Sequence, residues 1–319
     1  MQLSFEKIKE ITVGAVAVWQ ESDGVHFGKC TAEQIAVYEE CAPWLVANAK
    51  ATTGCKLDFH TDGSALVLKV KDEGRYEMKV NERLLVSQQG EADGDGFCFR
   101  LDLGVEGEWK RVSVALPMHG AGGVIRSVEI EKATSVVRHK FDGKFLFLGD
   151  SITQGWNSEF GAFAYANLVG DFFNAETVNQ GVGGAFFEAK TVLPIGFEPD
   201  AVFVAYGTND FNKFQSLKEI EERAAEYLKS VKALYPQAAI FVISPIWRMD
   251  EHVQRAAGKF SDCQKAIQEI AKGLNLEVID GETLVPPQAK LMADDLHPND
   301  LGFTVYALNL IKAVYKRIG

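Results

Sequence analysis

The feature that most constrains the fold of this chain is a change in apolar periodicity near residue 144. After that point, short continuous apolar runs alternate with longer segments of amphipathic, helix-like spacing. Continuous apolar runs are typical of buried strands, and strands separated by helices run parallel. The sequence therefore predicts an α/β domain with a doubly wound parallel sheet covered by helices on both faces. Its strands are expected at residues 145–148, 177–179, 201–205, 240–243 and 277–279.

Three longer helices are expected in the same part of the chain, at residues 217–234, 253–273 and 300–316. Pro236 ends the first of them because proline cannot continue a helix. Asn299 or Asp300 can cap the start of the last one.

The first 140 residues have short alternating apolar segments separated by Gly, Asp and Asn, which is typical of half-exposed antiparallel strands. This pattern predicts a β-sandwich or jelly-roll, and the apolar stretch 11–19 is interpreted as one more strand. We therefore expect two domains, residues 1–140 and 141–319, joined near 139–143. The other expected strands of the sandwich are residues 55–60, 65–70, 76–80, 97–103, 111–116 and 124–130.

The net charge of the chain disfavours certain partners, and its cysteines indicate a compartment. The formal net charge of −11 disfavours nucleic acid and anionic membranes, and it favours a neutral small-molecule or oligosaccharide substrate over a polyanion. Five cysteines without a CxxC pair are most simply free thiols in a reducing compartment. Neither a signal peptide nor an apolar run of roughly 20 residues is visible, so the expected location is the cytoplasm.

Four polar segments, three of which contain glycine, follow predicted strands or precede the last helix. They are residues 149–155, 179–184, 206–210 and 294–298. In an open parallel sheet, ligands bind beyond the carboxyl ends of the strands, so these segments are expected to meet there. Each alone has an ordinary interpretation: a helix cap at Ser151, a tight glycine turn, an Asx turn at Asn209, a surface histidine at His297.

Together the segments hold the groups that acyl transfer needs. Ser151 is a hydroxyl nucleophile, His297 can be its base, and Asp294 can orient the imidazole. The backbone N–H groups of Ser151 and Gly181 and the side-chain amide of Asn209 are candidate donors to the developing oxyanion.

These motifs resemble those of the SGNH/GDSL hydrolases. Residues 147–155, Phe-Leu-Gly-Asp-Ser-Ile-Thr-Gln-Gly, are similar to the first block of that family. The serine, glycine, asparagine and histidine of the family's name match Ser151, Gly181, Asn209 and His297, in that order. Asp294 begins an Asp-x-x-His-Pro block, a match that selects it over the adjacent acid, and the resemblance extends from about residue 144 to the C-terminus.

The resemblance implies a flavodoxin-like three-layer α/β/α fold and ester hydrolysis without a metal or organic cofactor. A β-sandwich before the hydrolase domain is similar to the layout of several carbohydrate acetylesterases of this group. We therefore expect a serine esterase acting on short acyl groups, most simply acetyl groups on carbohydrates. A lipase or thioesterase with a longer acyl preference is the alternative. Trp247 and Arg248, after the fourth strand, are possible substrate-binding residues, although Trp247 could equally pack at the interface between the two expected domains.

Other classes of function fit less well. A dinucleotide site needs G-x-G-x-x-G after the first strand, and an α/β-hydrolase elbow needs glycine where Thr153 stands. A non-catalytic carbohydrate-binding protein would have no need of all the catalytic positions. A metal-dependent phosphoesterase would leave Ser151 unexplained, and its candidate ligands would be Asp150, Asp210, Asp294, His297 and Asp300.

Overall fold

The computed structural model describes residues 1–120 and 122–318, apart from the side chain of residue 87. These residues form two compact units. The first contains Met1–Thr31 and Lys50–Phe141, and the second contains Ala32–Ala49 and the chain from Asp142 onward. The predicted first domain, residues 1–140, includes residues 32–49, but in the structure these cluster with the second unit.

The first unit contains a short helix and two antiparallel sheets. The elements are α1 (Phe5–Ile11), β1 (Thr12–Val13), β2 (Ala17–Glu21), β3 (Gly24–Gly28), β4 (Lys56–Thr61), β5 (Ala65–Val70), β6 (Tyr76–Val80), β7 (Arg83–Gln88), β8 (Glu91–Asp93), β9 (Gly96–Asp102), β10 (Lys110–Ala115), β11 (Val124–Glu131) and β12 (Val136–Arg138). In the described residues one sheet has the order β1-β4-β10-β6-β7, with β12 also paired to β4, and the other has the order β2-β3-β11-β5-β9-β8.

Alternate residues of both sheets point into one apolar core, among them Leu57 and Phe59 of β4 and Leu66 and Leu68 of β5. This arrangement confirms the predicted antiparallel sheets of the first half, but residues 1–140 are not all-β, because they also contain a short helix at Phe5–Ile11 and the helical segment within residues 32–50. The predicted strand at residues 11–19 is wrong, because Ile11 ends the helix α1 and the chain then turns through β1 into β2.

The second unit contains a parallel sheet with helices packed against it. Its elements are α2 (Ala32–Cys41), α3 (Val46–Lys50), β13 (Gly143–Gly149), α4 (Ser151–Gln154), α5 (Tyr165–Phe172), β14 (Ala175–Gly181), β15 (Ala201–Ala205), α6 (Thr208–Lys213), α7 (Leu217–Leu234), β16 (Ala239–Ile243), α8 (Phe260–Gly273), β17 (Glu277–Ile279) and α9 (Asp300–Ile318). Short 3₁₀ turns lie at Pro43–Leu45, Gly161–Phe163, Ala189–Thr191, Gly281–Thr283 and Ala289–Leu291.

The strand order of this sheet is β14-β13-β15-β16-β17, with every pair parallel. This is the flavodoxin-like order, and it confirms the predicted fold class. The order reverses between β13 and β15, and a crevice opens beyond the carboxyl ends of strands at such a switch point. Gly149 at the end of β13 lies in register with Gly181 of β14 and Ala205 of β15, so the loops after all three strands leave the sheet side by side.

Aromatic rings fill one face of the sheet. Phe147 stacks on Phe203 at 4.5 Å between ring centroids, and Phe203 stacks on Phe241 at 5.2 Å. Tyr165 of α5 packs edge-on against Phe147 and stacks on Tyr306 of α9, so these two helices cover this face. The helices α7 and α8 pack against each other.

The predicted helix 217–234 agrees with α7, and the predicted last helix begins at Asp300 as α9 does. The predicted helix 253–273 begins too early, because α8 starts at Phe260. Gly258, before it, has a left-handed φ of 102°, and its N–H bonds back to the carbonyl of Arg255, which interrupts the helix. Among the described residues, no helix combines the length and apolar character needed to cross a bilayer.

Candidate active site

Ser151 is the first residue of α4, directly after β13. The carboxylate of Asp150 accepts a hydrogen bond from the N–H of Ile152 at 2.9 Å and so caps the helix. The capping role considered for Ser151 therefore belongs to its neighbour, and the hydroxyl of Ser151 is available for other contacts. Gly149 allows the tight entry, because a Cβ there would lie 2.0 Å from Oγ1 of Thr153.

A continuous chain of hydrogen bonds joins Ser151, His297 and Asp294. Oγ of Ser151 lies 2.8 Å from Nε2 of His297, and Nδ1 of His297 lies 2.9 Å from Oδ2 of Asp294. The backbone N–H groups of Leu296 and His297 also donate to Oδ1 of Asp294, at 2.8 and 2.7 Å. Partial burial acts to raise the pKa of Asp294, but the hydrogen bonds from His297 and Leu296 outweigh it and hold this pKa below its ordinary value.

Asn157 is a further member of this group, and its sequence context does not predict it. Its amide donates to Oδ2 of Asp294 at 2.6 Å, and its backbone has a left-handed φ of 67°. The amide thus bonds to a different oxygen of the carboxylate from the one that accepts the two backbone N–H groups. An asparagine in a loop shortly after the nucleophile block gives no sequence signal for this role, because a turn alone would explain it.

The predicted oxyanion donor Gly181 needs a correction. Its N–H donates to Oδ1 of Asn179 at 2.8 Å, so this group is already paired. A Cβ at Gly181 would lie 2.3 Å from the backbone nitrogen of Gln154, so glycine is required here by the close packing of α4 on β14.

Gly184, three residues later, has the properties expected of Gly181. It has a left-handed φ of 87° and lines a pocket of about 250 Å³ together with Asn209. In the described residues, the backbone N–H groups of Gly184 and Ser151 have no hydrogen-bond acceptor. The amide of Asn209, in the first turn of α6, donates one hydrogen bond to the carbonyl of Ala185 at 2.9 Å and has a second N–H to offer.

The loop after β14 is also held by the segment Ala32–Ala49, which comes much earlier in the chain than the rest of the second unit. The amides of Gln34 and Gln180 bond reciprocally at 3.1 and 2.9 Å, and the amide of Asn48 donates to the carbonyl of Gly183 at 2.9 Å. Trp44 of the same segment lines the pocket beside Asn209. The sequence signal was present but faint, since buried Gln34 and Tyr38 are spaced as on one helix face.

Two acidic side chains next to these residues are buried: Asp150 follows β13, and Asp210 follows β15. Burial raises the pKa of each to about 7, and the proximity of Asp210 adds to the rise at Asp150. Oδ1 of Asp210 accepts the N–H of Phe187 at 3.0 Å, whereas Oδ2 has no partner in the described residues.

The two predicted substrate-binding residues are engaged elsewhere. Arg248 is 4% exposed, forms an ion pair with Asp250, and donates to Oδ1 of Asn212 at 3.1 Å. Trp247 packs against the core on the aromatic face of the sheet. Both therefore support the loop after β16.

The candidate metal ligands of the phosphoesterase reading do not converge within the described part of the chain. Asp294 and His297 bond to each other, and Asp300 accepts the N–H of Glu159 at 2.8 Å.

Comparison with known proteins gives a consistent picture of the second unit. The family model described as "GDSL-like Lipase/Acylhydrolase family" matches residues 147–305. A search of curated proteins returned no match to the sequence.

Several solved structures have a similar fold. A salicylyl-acyltransferase from a tetracycline biosynthetic pathway has a TM-score of 0.82 at 16% identity, covering 96% of this chain and 94% of its own. A GDSL-like lipase from Bacteroides ovatus has a TM-score of 0.75 at 19% identity, covering 97% and 96%. An acetyl xylan esterase from Butyrivibrio proteoclasticus has a TM-score of 0.69 at 13% identity, covering 100% and 98%.

Proposed function

Residues 147–305 belong to the GDSL-like lipase/acylhydrolase family, so the chain is an ester hydrolase, and we propose that it is a serine esterase for short acyl groups on carbohydrates. In this proposal Ser151 is the nucleophile, His297 the general base and Asp294 the carboxylate that orients the base. The observation that carries the proposal is the hydrogen-bond chain from Oγ of Ser151 through both ring nitrogens of His297 to Asp294.

The roles follow from the direction of this chain. Because Asp294 accepts from Nδ1 of His297, the proton of the neutral ring is on Nδ1 and Nε2 is free to take the proton of Ser151. Oγ of Ser151 then attacks the ester carbonyl, and His297 passes the proton to the departing alcohol. In the second half, water attacks the acyl-enzyme with His297 again as base, and Ser151 is released.

The negative oxygen formed in both halves needs donors that are already in place. We assign this role to the backbone N–H groups of Ser151 and Gly184 and to the side-chain amide of Asn209. In the described residues the N–H groups of Ser151 and Gly184 have no acceptor. The amide of Asn209 donates one of its two N–H groups to the carbonyl of Ala185 and keeps the other. Gly181, matched to the family's glycine by the sequence, is not part of this assignment because its N–H is occupied.

A small substrate with a sugar as its alcohol part is supported by two further observations. The pocket beside Asn209 measures about 250 Å³, below the roughly 300 to 1,000 Å³ of sites for larger ligands, so it admits only a small part of a substrate. Trp44, on its wall, is 62% exposed and offers an aromatic surface of the kind that packs against the apolar face of a sugar ring. Some proteins of the same fold are named as carbohydrate esterases, among them one in complex with cellohexaose.

The test is hydrolysis of p-nitrophenyl esters from acetate to palmitate by the wild type and by Ser151→Ala. We expect activity that is confined to short chains and lost in the variant, followed by release of acetate from acetylated sugars. A preference for long chains would move the assignment to a lipase or thioesterase, and loss of activity in chelator would indicate a metal-dependent enzyme. Undiminished activity in Ser151→Ala would refute the mechanism.

A further inference from the structure

The pocket beside Asn209 carries a positive charge that the proposed reaction does not use. It is lined by Trp44, Gly184, Phe186, Asn209, Asn212 and Lys213, and we call it the Lys213 pocket. None of these six residues is acidic. In the described part of the chain the ammonium of Lys213 has no carboxylate partner, although the chain has 44 acidic residues against 33 basic ones.

Aromatic rings hold the ammonium of Lys213 at the pocket. Nζ lies 4.4 Å from the ring centroid of Phe186 and 4.7 Å from that of Trp44, and the ring of Phe214 lies 6.0 Å away. Such contacts attract a cation to the ring faces without neutralising its charge. The charge is therefore fixed in place and remains available to an anion.

Lys213 and Asn209 lie on the same face of α6, four residues apart. The charge therefore sits about one helical turn from the amide assigned to the oxyanion. A substrate whose ester carbonyl is held at Asn209 places its neighbouring atoms near Lys213.

Asn212 adds a neutral donor to the same pocket. Its Oδ1 accepts from the guanidinium of Arg248 at 3.1 Å, which fixes the orientation of the amide. Its Nδ2 has no acceptor in the part of the chain that the structure describes. Two donors, one of them charged, match the two oxygens of a carboxylate.

We propose that the Lys213 pocket binds a carboxylate on the alcohol part of the ester, so that the substrate is an acylated acidic sugar or a similar hydroxy acid. This inference rests on the proposed function. Because an acyl group as small as acetyl carries no carboxylate, the carboxylate must belong to the alcohol part of the ester. A single carboxylate also suits the net charge of −11, which repels a polyanion but is overcome locally by one fixed cation.

The experiment compares two acetyl esters of matched shape, 4-acetoxybenzoate and its uncharged amide, 4-acetoxybenzamide. The quantity measured is the ratio of kcat/KM for the charged ester to that for the neutral one, in wild type, Lys213→Met and Lys213→Arg. Methionine keeps the length and apolar stem of lysine, and arginine keeps the charge and stacks on aromatic rings. Lys265→Met is the matched control, since Lys265 is an exposed lysine on α8 outside the pocket.

We expect the ratio to fall at least about threefold in Lys213→Met, and to stay near the wild-type value in Lys213→Arg and Lys265→Met. The wild-type ratio should also fall as salt rises from about 0.01 M to about 1 M, because salt screens an exposed charge. A fall below threefold in Lys213→Met, or an equal fall in Lys265→Met, overturns the inference.

Failure of the inference and failure of the proposed function give different results. If Ser151→Ala hydrolyses both esters as well as the wild type does, the proposed mechanism fails. If Ser151→Ala is inactive but the ratio is insensitive to Lys213, only the carboxylate site fails. If the wild type hydrolyses neither ester, calorimetry decides: 4-hydroxybenzoate should bind the wild type at least about threefold more tightly than it binds Lys213→Met, and equal binding refutes the site.

Discussion

Asp210 is expected to lower the stability of the hydrolase unit as pH rises. Its carboxyl is fully buried, and burial raises its pKa from 3.8 to about 7. Because the folded state holds this proton and the unfolded state does not, the free energy of unfolding falls as pH rises between these values. The slope is about 1.4 kcal/mol per pH unit, so Asp210 should remove roughly 3 kcal/mol between pH 5 and pH 8.

Asp210→Asn should abolish this loss. The amide oxygen can still accept the N–H of Phe187, while the amide nitrogen replaces Oδ2, which has no partner among the described residues. An unpaired buried amide costs about 1 to 3 kcal/mol, less than the roughly 4 kcal/mol associated with ionising the buried carboxyl. The variant should therefore be more stable than the wild type at pH 8, by about 1 to 3 kcal/mol, and no more stable at pH 5.

Urea denaturation of both proteins at pH 5, 6, 7 and 8 measures the effect, followed by tryptophan fluorescence, to which Trp44, Trp156 and Trp247 of the second unit contribute. Asp150 titrates in the same range and is raised partly by Asp210, so the variant should also have a shallower remaining slope. Parallel pH profiles for the two proteins would refute the reasoning. So would a variant that is less stable than the wild type by the same amount at every pH.

Three other substitutions test separate parts of the structure. Asn157→Gly removes the amide that bonds to the carboxylate of Asp294, while glycine tolerates the left-handed backbone at this position. We expect kcat to fall about tenfold with little change in KM, and an unchanged kcat would show that the amide is dispensable. Burial and the neighbouring His139 lower the pKa of His60 below its ordinary value of 6.5, so the folded protein loses stability as pH falls through this value. His60→Gln should therefore reduce the drop in Tm between pH 7 and pH 5, and an identical drop would contradict this. Gly181→Ala keeps the backbone N–H but places a Cβ 2.3 Å from the backbone of α4, so the free energy of unfolding should fall by about 1 to 3 kcal/mol or more and Tm should fall with it. An unaltered Tm would mean that the close packing is not limiting.

Elements with a complete local signal could be predicted from the sequence. The helix 217–234 is one example, because Ser216 caps it through the N–H of Glu219 at 3.2 Å and Pro236 follows its end. The sheet is another, because its strands are buried on both faces and form continuous apolar runs. In both cases short segments of the chain contain the whole physical cause.

Features that depend on distant contacts could not be predicted in this way. Residues 32–49 lie between strands of the sandwich in sequence, and only contacts such as that of Asn48 with Gly183 assign them to the other unit. The choice between Gly181 and Gly184 is similar, since both stand in one glycine-rich loop. It depends on which N–H the side chain of Asn179 occupies.

The loops of the site are ordered by buried polar side chains, and this explains which donors remain. Irregular backbone beyond the strand ends leaves N–H and C=O groups that must be paired when they are buried. Asn179 accepts from the N–H of Gly181 and donates to the carbonyl of Thr153, while Oε1 of Gln154 accepts the N–H of Gly183 at 2.6 Å.

Each of these contacts uses a backbone group that would otherwise compete for the substrate. The N–H groups of Ser151 and Gly184 and one N–H of Asn209 are left over by this network. Donors held in position without an acceptor are what a developing oxyanion requires, because they need no reorganisation when the charge forms. The pairing of the neighbouring groups therefore supports the assignment of the oxyanion to these three donors more strongly than the glycine motif does.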